Sequence, residues 1–261
     1  MTALLRVEGV GKAFGGVQAL NECALEVEQG SIAGLIGPNG SGKTTLFNVI
    51  TGYERVDEGE VYLNGTKITN LPPDKVFMLG IGRTFQLTRV FSRLTVMENM
   101  IVAAHHKERP AGRARIRNPF ARAGGPATRR RAMELLEFTG IAGHAGALAE
   151  TLSYGQRKLL ELSYVLMAEP EIVLLDEPAG GVNPTLITTI TDRIRELNRQ
   201  GTTFLIVEHN MDFVLGLCGR VTVLDYGNAV VTGPPEVIRT DRRVLDAYLG
   251  AAEGDDDAGA A

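Results

Sequence analysis

The chain has 261 residues, 44% of them hydrophobic and 22% charged, with 31 glycines, a composition that belongs to globular proteins and excludes disordered and fibrous classes. Twenty-seven Lys and Arg against 31 Asp and Glu leave a formal charge of −4, which argues against a nucleic-acid binder that uses its whole surface. One large α/β domain carrying a smaller subdomain suits this length.

In chain order, Leu4-Leu5-Arg6-Val7 and Ala24-Leu25-Glu26-Val27 alternate apolar and polar side chains, the pattern of antiparallel strands wet on one face. Residues 1–6 lack the charged start of a secretory signal, and no apolar run reaches the roughly 18 residues of a membrane span. A cytoplasmic chain is expected. Cys23 and Cys218 stand far apart without metal-ligand spacing and read as buried small hydrophobes in a reducing compartment.

Ser31-Ile32-Ala33-Gly34-Leu35-Ile36 is a short apolar run, followed by Gly37-Pro38-Asn39-Gly40-Ser41-Gly42-Lys43-Thr44-Thr45 and then a helix-compatible stretch. This fills G-x-x-x-x-G-K-[ST] between a predicted strand and a predicted helix. Glycines let successive backbone N–H groups turn inward around a polyphosphate, the helix start adds a partial positive charge, and Lys43 brings a mobile cation to the β and γ oxygens. The Thr44 hydroxyl suits Mg²⁺. Nucleotide binding is the base expectation.

Residues 71–168 have another character, with helical patterns, no strong strand, and the look of a helical subdomain inserted into the sheet domain. Within them, residues 105–131 hold nine Lys and Arg (Lys107, Arg109, Arg113, Arg115, Arg117, Arg122, Arg129, Arg130, Arg131) and one acid, Glu108, a formal +8. This basic insert reads either as a solvated loop or as a contact with lipid headgroups or a membrane subunit. The adjacent His105 and His106 have no carboxylate cluster beside them and do not read as a metal site.

Leu152-Ser153-Tyr154-Gly155-Gln156 opens a helical stretch. Ser153 and Gly155 at its N-terminus read either as an ordinary cap or as donors to a γ-phosphate. Ile172-Val173-Leu174-Leu175-Asp176-Glu177 then reads as a buried strand delivering two carboxylates toward the phosphate loop, Asp176 for the metal and Glu177 to polarise an attacking water. A further buried strand is predicted over residues 204–207, making the core a wound α/β sheet. The last eleven residues, 251–261, carry Glu253, Asp255, Asp256 and Asp257 among Ala and Gly, the composition of a frayed acidic tail.

Together these segments resemble the ATP-binding subunits of ABC transporters. The resemblance rests on the phosphate loop, Arg83-Thr84-Phe85-Gln86, the 152–156 signature, the acidic strand and Val207-Glu208-His209, all in the family's order, and it runs over residues 5–250. It narrows to the ATPases of branched-chain (hydrophobic) amino-acid uptake through Leu94-Thr95-Val96-Met97-Glu98-Asn99, Pro178-Ala179-Gly180-Gly181-Val182-Asn183-Pro184, Glu208-His209-Asn210-Met211 and Ala247-Tyr248-Leu249-Gly250. Related branches serve urea or amide uptake and lipopolysaccharide export. A soluble, non-transport ABC ATPase fits less well, since such chains carry two fused domains or a long coiled-coil insert. Tyr154 and Asn183 depart from the general pattern, and Asn183 brings no charge to an inter-subunit ion pair.

The resemblance implies a P-loop ATPase core of mixed sheet with an antiparallel β subdomain and an inserted helical subdomain, all within residues 1–250. It implies ATP and Mg²⁺ as cofactors, with the metal held by Thr44, Gln86 and Asp176. Glu177, Gln86 and His209 would be catalytic. Phe14 would stack on adenine, residues 37–45 (Gly37, Pro38, Asn39, Gly40, Ser41, Gly42, Lys43, Thr44 and Thr45) would cradle the phosphates, and Ser153, Gly155 and Gln156 would serve the nucleotide of a head-to-tail partner. Expected partners are a second ATP-binding subunit, identical or related, two integral membrane permease subunits and an extracytoplasmic solute-binding protein, with no nucleic acid. These partners put the chain at the cytoplasmic face of the membrane.

Overall fold

Three apolar strands, β3 (Ile32–Ile36), β7 (Ile172–Asp176) and β8 (Thr203–Val207), are buried along their whole length, because both faces of the sheet they form are covered. Their side chains divide with a period of two. Ala33, Leu35, Ile172, Leu174, Leu205 and Val207 enter one core, whereas Ile36, Val173, Leu175, Phe204 and Ile206 enter the other. The computed structural model describes residues 3–86, 89–104 and 124–255. In it these strands belong to a six-stranded sheet of order β10-β9-β3-β8-β7-β6, completed by β6 (Ile81–Arg83), β9 (Arg220–Asp225) and β10 (Asn228–Gly233). All neighbours are parallel except β9 and β10, so the sheet is mixed.

The N-terminal alternation forms β1 (Ala3–Phe14) and β2 (Val17–Glu28), which pair antiparallel; β4 (Glu58–Leu63) and β5 (Thr66–Lys67) extend them into a four-stranded sheet of order β2-β1-β4-β5. Leu5, Val7, Leu20 and Val27 pack from this sheet against α1 (Lys43–Ile50), whose Leu46, Phe47 and Ile50 fill the space between the two sheets. Cys23 and Cys218 are buried, and desolvation pushes both thiols up to about 12, so they are chemically quiet.

After α2 (Pro73–Met78) and β6, the chain leaves the sheet for α3 (Val96–Ala104), α4 (Pro126–Thr139) and α5 (Tyr154–Leu166). Met100, Leu136 and Leu160 bring these three helices into the second core. The segment expected to be helical from residue 71 therefore contains one strand of the main sheet. Three residues are too few to show alternation or an apolar run, and Gly82 within β6 has room for no Cβ against Val165, at 2.5 Å. Of the basic insert, residues 105–123 lie outside the described residues, including His105 and His106. Arg129, Arg130 and Arg131, at the end of the insert, belong to α4, in line with the helical pattern of residues 130–138, and Arg131 pairs with Glu134 at 3.5 Å.

Beyond the sheet come α6 (Pro184–Arg199), α7 (Met211–Leu217), α8 (Pro235–Thr240) and α9 (Arg242–Asp255). The last helix continues to Asp255, so the acidic tail expected from residue 251 begins as helix; residues 256–261 lie outside the described residues. Among the described residues no helix is long and apolar enough to cross a membrane.

Candidate active site

Four neighbouring parallel strands, in the order β3-β8-β7-β6, end on the same edge of the sheet, where open α/β sheets place their ligands. Each delivers part of one constellation. From β3 the chain turns through residues 37–42 into α1. Gly42 has φ 103, and a Cβ there would stand 2.5 Å from the Ala19 carbonyl oxygen, so a side chain is excluded twice over. Gly37 and Ser41 are buried, Pro38 and Thr45 half-buried, and Asn39, Gly40 and Thr44 exposed. The buried Lys43 donates to the carbonyls of Gly37 (2.8 Å) and Pro38 (2.7 Å) and to Ser41 Oγ (3.3 Å). Burial pushes its ammonium down from the ordinary lysine range, while the carboxylates of Glu177 and Asp176 pull it back up.

From β7 come the two acids, whose neighbours differ. Asp176 is buried and accepts from Arg83 Nη2 at 2.9 Å. Arg83, at the end of β6, also donates to Asn48 Oδ1 (2.8 Å) and Thr51 Oγ1 (3.0 Å) of the α1 end. Glu177 has φ 49, a left-handed backbone that is uncommon for a residue with a Cβ. Three bonds hold it there: its N–H donates to the Val207 carbonyl (2.9 Å), and its own carbonyl accepts from Gly180 N–H (3.1 Å) and from Lys158 Nζ. Its carboxylate meets Gln86 Nε2 at 2.9 Å on one oxygen and His209 Nε2 at 2.9 Å on the other. Gln86 follows β6 and His209 follows β8, so three strand ends converge on one side chain. Glu208 is buried and supports this junction, accepting from Ala179 N–H (2.6 Å) and from the backbone N–H of His209 (3.0 Å).

The signature opens α5. Ser153 caps it, its hydroxyl accepting from Gln156 N–H (3.2 Å) while Gln156 Oε1 accepts from Ser153 N–H (2.9 Å), and Gln156 Nε2 lies 3.0 Å from His144. A Cβ on Gly155 would stand 2.1 Å from Leu186 Cδ2, so this glycine also lets α5 and α6 approach. No hydrogen bond joins Ser153, Gly155 or Gln156 to the chain's own phosphate loop among the described residues. Phe14 sits at the end of β1, 44% exposed, with Lys12 Nζ 5.1 Å from its ring centroid. Asn183 caps α6 by accepting from Leu186 N–H at 2.9 Å, a task an amide performs as well as a carboxylate.

Arg83, Lys158 and Glu161 carry roles that no motif in the sequence marks. A buried charge on an otherwise ordinary helix leaves no periodic signal; for Arg83 the adjacent Gln86 segment was the available pointer. Glu161 is buried and its Oε1 accepts from the backbone N–H of Phe85 (3.0 Å) and of Arg89 (3.3 Å). Burial pushes its carboxyl up to about 7, against the opposing pull of those two N–H groups and of the Lys158 and Arg89 cations. The folded chain thus keeps a proton that the unfolded chain releases near 4.5. Its stabilising contribution is complete below that value and is lost as pH rises through about 7. Glu161→Gln removes the loss. The variant is expected to exceed wild type in stability at about pH 8 by up to about 3 kcal/mol and to match it near pH 4.5. Urea unfolding at the two pH values checks this, and equal midpoints at the higher pH contradict it.

A glycine-lined phosphate cradle with a buried lysine, a strand-end acid and a second acid gripped by Gln and His defines a P-loop nucleoside triphosphatase. The chain belongs to the ABC transporter family, whose model matches residues 20–180. It is 38% identical over 251 residues, 95% of this chain and 98% of the relative, to the high-affinity branched-chain amino acid transport ATP-binding protein LivG of Salmonella typhimurium. It is also similar to the ADP conformation of an ATP-binding cassette of an ABC transporter, with a TM-score of 0.83 and 33% identity over 96% of this chain and all of that one. A dimeric bacterial ABC transporter cassette superposes with a TM-score of 0.77 and 26% identity over 88% of this chain and 98% of that one.

Proposed function

We propose that this chain is the ATP-hydrolysing subunit of an ABC importer for branched-chain or other hydrophobic amino acids, working as a head-to-tail dimer beneath two permease subunits. The observation that carries the hydrolytic part is the Glu177 carboxylate, held between Gln86 and His209 at the sheet edge that also bears Lys43. Residues 37–45 cradle the phosphates and Phe14 stacks on adenine. Glu177 draws the proton from the attacking water, His209 orients the γ-phosphate, and Ser153, Gly155 and Gln156 face the partner's nucleotide.

The donor set suits Mg²⁺, which takes few protein oxygens beside phosphates and water: an exposed hydroxyl on Thr44, the amide oxygen of Gln86, and the carboxylate of Asp176. When bound, the ion neutralises charge on the β and γ phosphates. A groove of about 310 Å³ lined by Tyr53, Phe77, Arg83, Phe85, Arg89 and Tyr164 supports docking of an apolar permease segment there. Such docking attaches the chain peripherally at the cytoplasmic membrane face, with an extracytoplasmic binding protein delivering solute.

The test is ATP turnover by the complex co-purified with its permease subunits in vesicles. Stimulation by leucine, isoleucine or valine together with the binding protein is the expected result. Stimulation by urea, an amide or an exported lipid, and by no amino acid, overturns the cargo reading.

A further inference from the structure

The helix that begins at the signature touches both halves of the hydrolytic pair through its buried face. Lys158, one turn past the cap, is buried and donates to the backbone carbonyl of Glu177. Glu161, almost one turn further, is buried and accepts from the N–H groups of Phe85 and Arg89, which flank Gln86 on either side. Lys158 and Glu161 are three positions apart and so share a face of α5. Between that face and Asp176 lies a cavity of about 20 Å³, lined also by Thr84, Phe85 and Pro178. At its N-terminus the same helix is pressed onto the loop after Glu177: the Tyr154 ring lies 3.2 Å from where a Gly181 Cβ would be, and Gly155 lies against Leu186.

Neither contact is generic packing. Buried lysine and glutamate cost free energy unless their charges and lone pairs are engaged, and each is engaged with backbone of a segment that carries a hydrolytic side chain. The bond to the Glu177 carbonyl fixes a residue whose left-handed backbone would otherwise relax. The bonds to Phe85 and Arg89 fix backbone on either side of Gln86. Displacing α5 therefore displaces Glu177 and Gln86 together, and their 2.9 Å contact is retained or lost as a unit.

From this geometry we infer that Lys158 and Glu161 are positioning residues that make the signature helix a brace: when Ser153 and Gly155 seat on the partner's ATP, α5 sets Glu177 and Gln86 for hydrolysis in the chain's own site. The inference rests on the dimeric ATPase reading given above. It makes the two nucleotide sites mutually dependent through one helix, with no contact needed between the nucleotides.

Steady-state hydrolysis by the full-length chain with Mg-ATP tests it, using Glu161→Ala, Lys158→Met and Glu161→Gln. Glu161→Ala and Lys158→Met should lower kcat about 10- to 100-fold, the scale expected when catalytic groups shift by about 1 Å, with KM for ATP within about twofold of wild type. Glu161→Gln keeps an oxygen to accept from Phe85 and Arg89 and should retain more than about half the turnover. The wild-type ATP dependence should be sigmoidal and that of Lys158→Met hyperbolic. A hyperbolic wild-type curve, wild-type kcat in Lys158→Met, equal losses in Glu161→Gln and Glu161→Ala, or losses confined to KM each overturn the inference. Lys158→Met and Glu161→Gln carry the test if Glu161→Ala does not fold. Absence of turnover in the wild type sinks the ATPase reading itself, whereas wild-type turnover in both Lys158→Met and Glu161→Ala sinks only the brace.

Discussion

Glu177→Gln is expected to stop ATP turnover while ATP remains bound. General-base assistance is worth about 10²- to 10⁴-fold, so kcat should fall at least about 100-fold. The amide fits the same space. Its oxygen can accept from Gln86 Nε2 in place of one carboxylate oxygen, and its NH₂ can donate to His209 Nε2, the two partners that now stand at 2.9 Å each. The backbone bonds through Val207, Gly180 and Lys158 do not involve the side chain and persist. What disappears is a base able to take a proton. Affinity for a fluorescent ATP analogue should stay within about threefold of wild type, under about 1 kcal/mol, and the ATP-bound dimer should accumulate on size exclusion. Turnover equal to wild type would remove Glu177 from its assigned role.

Lys43→Ala should act on binding first. In the structure Nζ is held by two loop carbonyls and Ser41 Oγ, a geometry that keeps the cation inside the turn where phosphates are expected. Hydrogen bonds from a charged donor contribute about 1.5–3 kcal/mol, so the Kd for ATP should rise about 10- to 150-fold. Thermal unfolding separates this from a folding defect. The rise in Tm produced by saturating ATP follows the ratio of ligand concentration to Kd and should shrink sharply, whereas the ATP-free Tm moves little. An undiminished ATP-dependent shift contradicts the assignment. The two substitutions thus divide the site: one variant binds without turning over, the other fails to bind.

Much of the core was legible because burial on both faces imposes unbroken apolar runs, and these are what β3, β7 and β8 show. The phosphate loop was legible for a different reason: its shape demands glycine at places where a Cβ would strike backbone, as at Gly42. β6 has no such mark, since its three residues draw their identity from pairing with β7 rather than from their own pattern. Likewise the N-terminal part of the acidic tail is helix, although Ala, Gly and Asp suggested frayed chain. Phe14, Ser153, Gly155 and Gln156 stand out by motif alone, whereas their contacts within this chain, such as the Ser153–Gln156 capping box and the packing of Gly155 on Leu186, bear no mark of the ligand and partner roles proposed for them. Lys158 and Glu161 were invisible because a helix with charges at many positions reads as wet, and only the tertiary arrangement shows which of those charges faces inward.

The backbone at Glu177 also bears on how such a chain would decay. At φ 49 a glycine is relaxed and an asparagine nearly so, while most other residues carry a conformational penalty of about 1 kcal/mol or more. The base role proposed for Glu177 is what would keep a glutamate here despite that penalty. Once a duplicated copy is kept only for binding nucleotide, drift at this position should favour glycine or asparagine over alanine, since those changes relieve backbone energy as they remove the base. Loss of hydrolysis in this lineage would then come with a gain in thermal stability.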